Sequence, residues 1–137
     1  MKLKKYIHFI KKNQGDDFTN DFIKYIDDFS LDLIDSGFDV NIEKSYYNPP
    51  LITDDIKCVK ITIKRDNKFK IHDIEYFIEV LYDYTFREGC LFDVEFNRNK
   101  MTLDILYNLY GDYDFNKLIL YVYTEDDYCN SESSIDS

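Results

Sequence analysis

The side chains in this chain best suited to chemistry are carboxylates at helical spacing. Asp28, Asp32 and Asp35 stand at i, i+4 and i+7, with Asp21 further up the same side. Carboxylates placed in this way can hold a divalent cation. A second series, Glu75, Glu79 and Asp83, repeats at i, i+4 and i+8. A catalytic metal needs two such clusters to converge. Each series flanks an apolar stripe that must be buried, so solvent or a partner is the expected neighbour, not the other series. Only Lys24 lies within helical reach of Asp21 and Asp28, and Asp32 and Asp35 have no basic residue at i±3 or i±4. Like charges at that spacing cost a few tenths of a kcal/mol each, and a basic partner surface would offset that cost.

Other catalytic chemistry is poorly represented. His72 and Glu75 form an H-x-x-E pair, but a metal site needs more ligands than this. The second histidine, His8, stands alone. There is no G-x-S-x-G, and the four glycines stand too far apart to make a phosphate loop. No catalytic residue, metal or cofactor is expected. The remaining feature is the run from Tyr107 to Phe115, where Tyr107, Tyr110, Tyr113 and Phe115 are interleaved with Asp112 and Asp114. Tyr110 and Phe115 are expected in the core. Tyrosines at an exposed rim are common hot spots of binding. The candidate partner-binding residues are therefore Asp21, Asp28, Asp32, Asp35, Tyr107, Asp112, Tyr113 and Asp114.

These residues sit in a chain of 137 residues with a formal charge of −10. The length fits one domain, and 13 Tyr with 11 Phe supply a core. The negative charge disfavours nucleic acid and anionic lipid and favours a basic protein partner. Cys58, Cys90 and Cys129 are odd in number and widely spaced, which argues against a disulfide framework and a zinc knuckle. Cys58 and Cys90 are expected to pack as small hydrophobes. No apolar run is long enough to span a membrane. The start, MKLKKYIHFIKK, lacks the apolar region of a signal peptide.

The periodicities predict the elements that position these groups. Leu3, Tyr6, Ile7 and Ile10 predict a short basic helix over 2–12. Its stripe either packs on its own domain or docks on a partner. Phe18, Phe22, Tyr25, Ile26, Phe29 and Leu33 predict a helix over 17–36, closed by Gly37. Alternation predicts strands over 38–46 and 57–65, separated by a loop over 48–56. Arg65-Asp66-Asn67-Lys68 is expected to turn the chain. A second main helix follows over about 71–88, closed by Gly89, then a strand over 90–97. Thr102 caps a short helix over 103–110, ended by Gly111, and Leu118–Tyr123 forms the last strand.

This pattern predicts an α+β fold: a two-layer sandwich with a four-stranded, mostly antiparallel sheet and two main helices on one face. If the opening segment were a strand, the order would become ferredoxin-like, βαββαβ. The expected organisation is a basic segment over 1–16, a single domain over 17–124 and an acidic tail over 125–137.

Ile, Lys, Asn, Asp, Tyr and Phe are inflated together and Ala is absent, the mark of AT-rich coding. The Met-Lys-x-x-Lys opening, the helix-to-strand stretch DFSLDLIDSGFDVNI and the strand-to-helix stretch ITIKRDNKFKIHDIEYFIEVL resemble uncharacterised short proteins of tailed bacteriophages. The resemblance covers about the first ninety residues. It implies a viral gene and assigns no activity and no site residue. The function expected from all of this is a non-catalytic protein-binding module, an acidic inhibitor or accessory factor acting in the host cytoplasm on a protein with a basic surface. The alternatives are a structural component of the virion and a small metal-dependent enzyme.

Overall fold

The computed structural model describes residues 15–49 and 54–124, with side chains from residue 20 onward. The expectations for residues 1–14 and 125–137, and for the middle of the 48–56 loop, lie outside the described residues. The ferredoxin-like alternative turned on the first of these segments.

The first element is helix α1, Gly15–Asp35. Phe22, Ile26 and Leu33 are buried along it, and Tyr25 and Phe29 are partly buried. It ends in a Schellman motif. The Gly37 N–H donates to the Ile34 carbonyl and the Phe38 N–H to the Leu33 carbonyl, both at 3.0 Å. Gly37 has φ +92°, a conformation that side chains disfavour. The chain then enters β1, Asp39–Tyr47, which pairs antiparallel with β2, Ile56–Phe69.

β2 is longer than expected. Arg65 to Lys68 do not turn the chain; they stay in the strand across a register shift between Lys64 and Phe69. Side chains satisfy the backbone of this irregular stretch. Asn116 Nδ2 donates to the carbonyls of Arg65 and Asp66, and the Arg65 guanidinium donates to those of Asn67 and Lys68. The same guanidinium lies 4.4 Å from the Phe38 ring centroid.

A 3-10 turn, Ile71–Ile74, leads into helix α2, Glu75–Arg87. Ile74, Phe77, Ile78, Leu81 and Thr85, the expected stripe, are all buried. Gly89, at φ +70°, closes it. Strand β3, Cys90–Phe96, is followed by β4, Asn99–Met101, then helix α3, Leu103–Tyr110, and β5, Phe115–Thr124. Thr102 caps α3, its hydroxyl accepting from the Ile105 N–H. Gly111 is required by closeness: a Cβ there would lie 2.9 Å from the Tyr107 carbonyl oxygen.

The five strands form one sheet in the order β1-β2-β5-β3-β4, with every pair antiparallel. The fold class is α+β; the described residues form five strands where four were expected, and the two main helices together with the short one expected over 103–110. The extra strand is β4, whose three residues are too few to show alternation. The core lies between the helices and one sheet face, where Ile61, Ile63, Val94, Leu118 and Leu120 meet Phe22, Leu81 and Leu106.

Candidate functional site

The acidic side of α1 is built as the spacing implied. Asp28, Asp32 and Asp35 are exposed, and their carboxylates make no ion pair among the described residues. Asp21 is partly buried. Two apolar side chains lie beside this stripe. Leu31 is 57% exposed and Ile34 46% exposed, and helical geometry sets Leu31 in the same arc as Asp28, Asp32 and Asp35. α2 shows the same mixture, with Phe86 77% exposed and Tyr76 and Tyr82 exposed beside Glu79 and Asp83.

The aromatic run lies elsewhere. α1 packs over β1 and β2, whereas α3 packs on β3. The two groups of candidate residues therefore form separate patches, with α2 between them. Phe115 is buried as expected; Tyr110 is only partly so. Tyr107 is half-buried with its ring 6.2 Å from that of His72, and burial raises its pKa, helped by Glu75 and Glu79. Tyr113 is exposed and touches the rings of Phe96, Tyr110 and Phe115. One of the two carboxylates of this loop, that of Asp114, is engaged. Lys70 Nζ donates to Asp114 Oδ1 at 2.8 Å and to the Asp112 carbonyl at 3.0 Å. That contact holds the Asp114 carboxyl below its usual range and raises Lys70. The loop is tied to the start of the 3-10 turn, and it exposes the Tyr113 ring and the Asp112 carboxylate.

The sheet face away from the helices carries a cluster that sequence reasoning missed. Tyr47 and Tyr123 both donate to Asp93 Oδ2, at 2.6 and 3.0 Å, and Tyr121 donates to Glu95 Oε1 at 2.7 Å. The Tyr47 and Tyr121 rings stack 4.3 Å apart, and Lys100 Nζ lies 4.8 Å from the Tyr47 centroid. Burial, then the neighbouring carboxylate, pushes the Tyr47 and Tyr121 hydroxyls up, and burial pushes the Cys58 thiol beside them up to about 12. Groups so shifted stay protonated at neutral pH and serve as donors, not as bases or nucleophiles. The legible sign was a pair of tyrosines two apart in β5, Tyr121 and Tyr123, and a pair of acids two apart in β3, Asp93 and Glu95. Their pairing needed the strand order.

No family model, curated protein or solved structure matches this chain.

Among the described residues no group of three or more His, Cys, Asp or Glu is placed to hold a metal ion. His72 Nδ1 lies 3.6 Å from Glu75 Oε1, with both side chains exposed. No helix among them is long and apolar enough to cross a membrane. Cys58 and Cys90 are both buried.

The described charges separate by layer. α1 holds seven acids against one lysine, whereas β2 holds five cations against one aspartate. At the end of the sheet, Lys68, Arg98 and Lys117 line a concavity of about 380 Å3 together with Asn97, Asn116 and Tyr113. Arg98 reaches it from the β3–β4 hairpin, whose two loop residues, Asn97 and Arg98, both have positive φ, +50° and +67°. A two-residue turn of that kind favours Asn-Gly. Arginine at the second position carries strain on the order of 1–2 kcal/mol.

Proposed function

We propose that this chain is a non-catalytic protein-binding module whose helix layer docks on a basic, partly apolar surface of another protein. The observation that carries this reading is the exposure of Leu31 and Ile34 beside Asp28, Asp32 and Asp35, carboxylates without ion pairs among the described residues. Apolar side chains supply affinity on desolvation, and a ring of like charge selects an oppositely charged partner and speeds its approach. Tyr82 and Phe86 extend the same mixture onto α2. With the viral origin that the resemblance implies, the proposed partner is a host protein met in the host cytoplasm, and the proposed role is that of an inhibitor or accessory factor there.

The test uses the partner recovered on tagged protein from infected cells. Its association rate should fall with added salt, because exposed charges are screened beyond roughly 10 Å at 0.1 M. Replacing Asp28, Asp32 and Asp35 together by Asn should slow association without lowering the melting temperature. Leu31→Ser should speed dissociation. Binding that ignores both salt and these variants refutes the reading.

A further inference from the structure

The concavity at the sheet end combines features that are individually unfavourable in the free protein. Lys64 and Lys117 stand directly opposite each other across β2 and β5, and like charges so placed repel. Arg98 holds a left-handed backbone that glycine would adopt without strain. Lys64, Lys68, Arg98 and Lys117 make no ion pair among the described residues. Two carboxylates line the concavity, and each is engaged: Glu95 accepts from Tyr121, and Asp114 is paired with Lys70. The adjoining concavity, which shares Asn116 and Lys117, adds Lys64 and Arg65 against Asp39 and Asp66.

We infer that this concavity binds a small organic phosphate of about mononucleotide size, its phosphoryl group held by Lys68, Arg98 and Lys117. A guanidinium from the β3–β4 turn and ammonium groups from β2 and β5 line this one concavity, and such a set suits a multiply charged oxyanion. The Asn97 side-chain amide lines the same wall and has a second N–H beyond the one it gives to the Tyr113 hydroxyl, whereas the Asn116 amide is committed to the Arg65 and Asp66 carbonyls. The Tyr113 ring, with the Asn97 amide 3.5 Å from its hydroxyl, stands where the organic body would lie. The volume of about 380 Å3 suits a small molecule. A bound dianion would relieve the Lys64–Lys117 repulsion and give Arg98 its counter-charge. A nucleic-acid strand would bring many phosphates toward a molecule of charge −10, so a free small ligand is favoured. The site lies at the sheet end, away from the helix layer.

The experiment is calorimetric titration of the full chain with AMP, inorganic phosphate, adenosine and a 5′-phosphorylated oligonucleotide, with amide chemical-shift mapping. AMP should bind one-to-one and saturably, shift Asn97, Arg98 and Lys117, and weaken with salt; inorganic phosphate should compete. Arg98→Gly and Lys117→Gln should each weaken AMP by about tenfold or more. Because glycine suits the turn, Arg98→Gly should do so without lowering the melting temperature. Asp55→Asn, at an exposed position just before the opposite end of β2, should leave AMP binding unchanged. The inference is overturned if AMP does not saturate at millimolar concentration, if adenosine binds as well as AMP, or if neither sheet-end variant matters. Oligonucleotide binding that AMP cannot displace would also overturn it, in favour of an extended nucleic-acid surface.

Discussion

Two groups of buried tyrosines differ in one detail. Tyr47, Tyr121 and Tyr123 give their hydroxyls to Asp93 and Glu95, whereas the Tyr84 hydroxyl, between α1 and β3, has no hydrogen-bond partner among the described residues. A buried donor without a partner costs about 1–3 kcal/mol, whereas the aromatic ring is worth keeping. Tyr84→Phe should therefore raise stability by up to about 1 kcal/mol while preserving the stack on Tyr25, as read by urea denaturation. Asp93→Ala should do the reverse, stranding the Tyr47 hydroxyl and costing about 2–3 kcal/mol. A loss on Tyr84→Phe would show that the hydroxyl has a partner. Of these residues, the acidic stripe was legible because helical spacing is local. The tyrosine–carboxylate cluster was not, because Tyr47 and Asp93 lie 46 residues apart. Nor did spacing reveal that Asp114 is already committed to Lys70.

The elements were legible where local signals agreed and missed where they were short or broken. α1, α2 and β1 follow their periodicities, and their two closing glycines both have positive φ. β4 has only three residues, and its existence depends on the strained Asn97–Arg98 turn. The run from Arg65 to Lys68 has turn composition, yet Asn116, fifty residues away, holds it in the sheet. Gly37 separates backbone from packing effects, because a Cβ there would touch nothing within 4 Å. Gly37→Ala should still cost about 1 kcal/mol, all of it conformational. Thermal melting of the variant checks this. An unchanged melting temperature would mean that the Schellman geometry is not maintained in solution.

At the scale of the whole molecule, the shifted groups set its behaviour in base. Tyr47, Tyr84 and Tyr121 are raised from the usual 10.0, chiefly by burial, and Cys58 is raised to about 12. The unfolded chain ionises these groups first and so binds fewer protons than the folded one. Stability is fully present below about pH 9 and falls as pH rises through the ordinary thiol and phenol range. Denaturation midpoints measured from neutral to strongly alkaline pH should drop steeply there. Phenolate absorbance should arrive in two steps, exposed tyrosines first and the buried ones with unfolding. A single step from every tyrosine before structure is lost would contradict this. The acidic stripe of α1 was legible, but the cation-rich β2 was not: −10 is a sum without positions, and Arg65 and Lys68 were expected in a turn instead of the sheet.

The last described strand is also the middle of the sheet. β5 lies between β2 and β3, so before it is made the chain holds only two hairpins, β1–β2 and β3–β4, with no strand between them. A growing polypeptide on the ribosome can form these local pairs early, but the pairing that joins them has to await residues 115–124. Chains arrested before Phe115 would present two bare strand edges side by side, the form of polypeptide that chaperones hold and proteases clear. Synthesis would thus deliver the assembled sheet in one late step, and fragments stalled in the first hundred residues should be found bound to chaperones instead of folded.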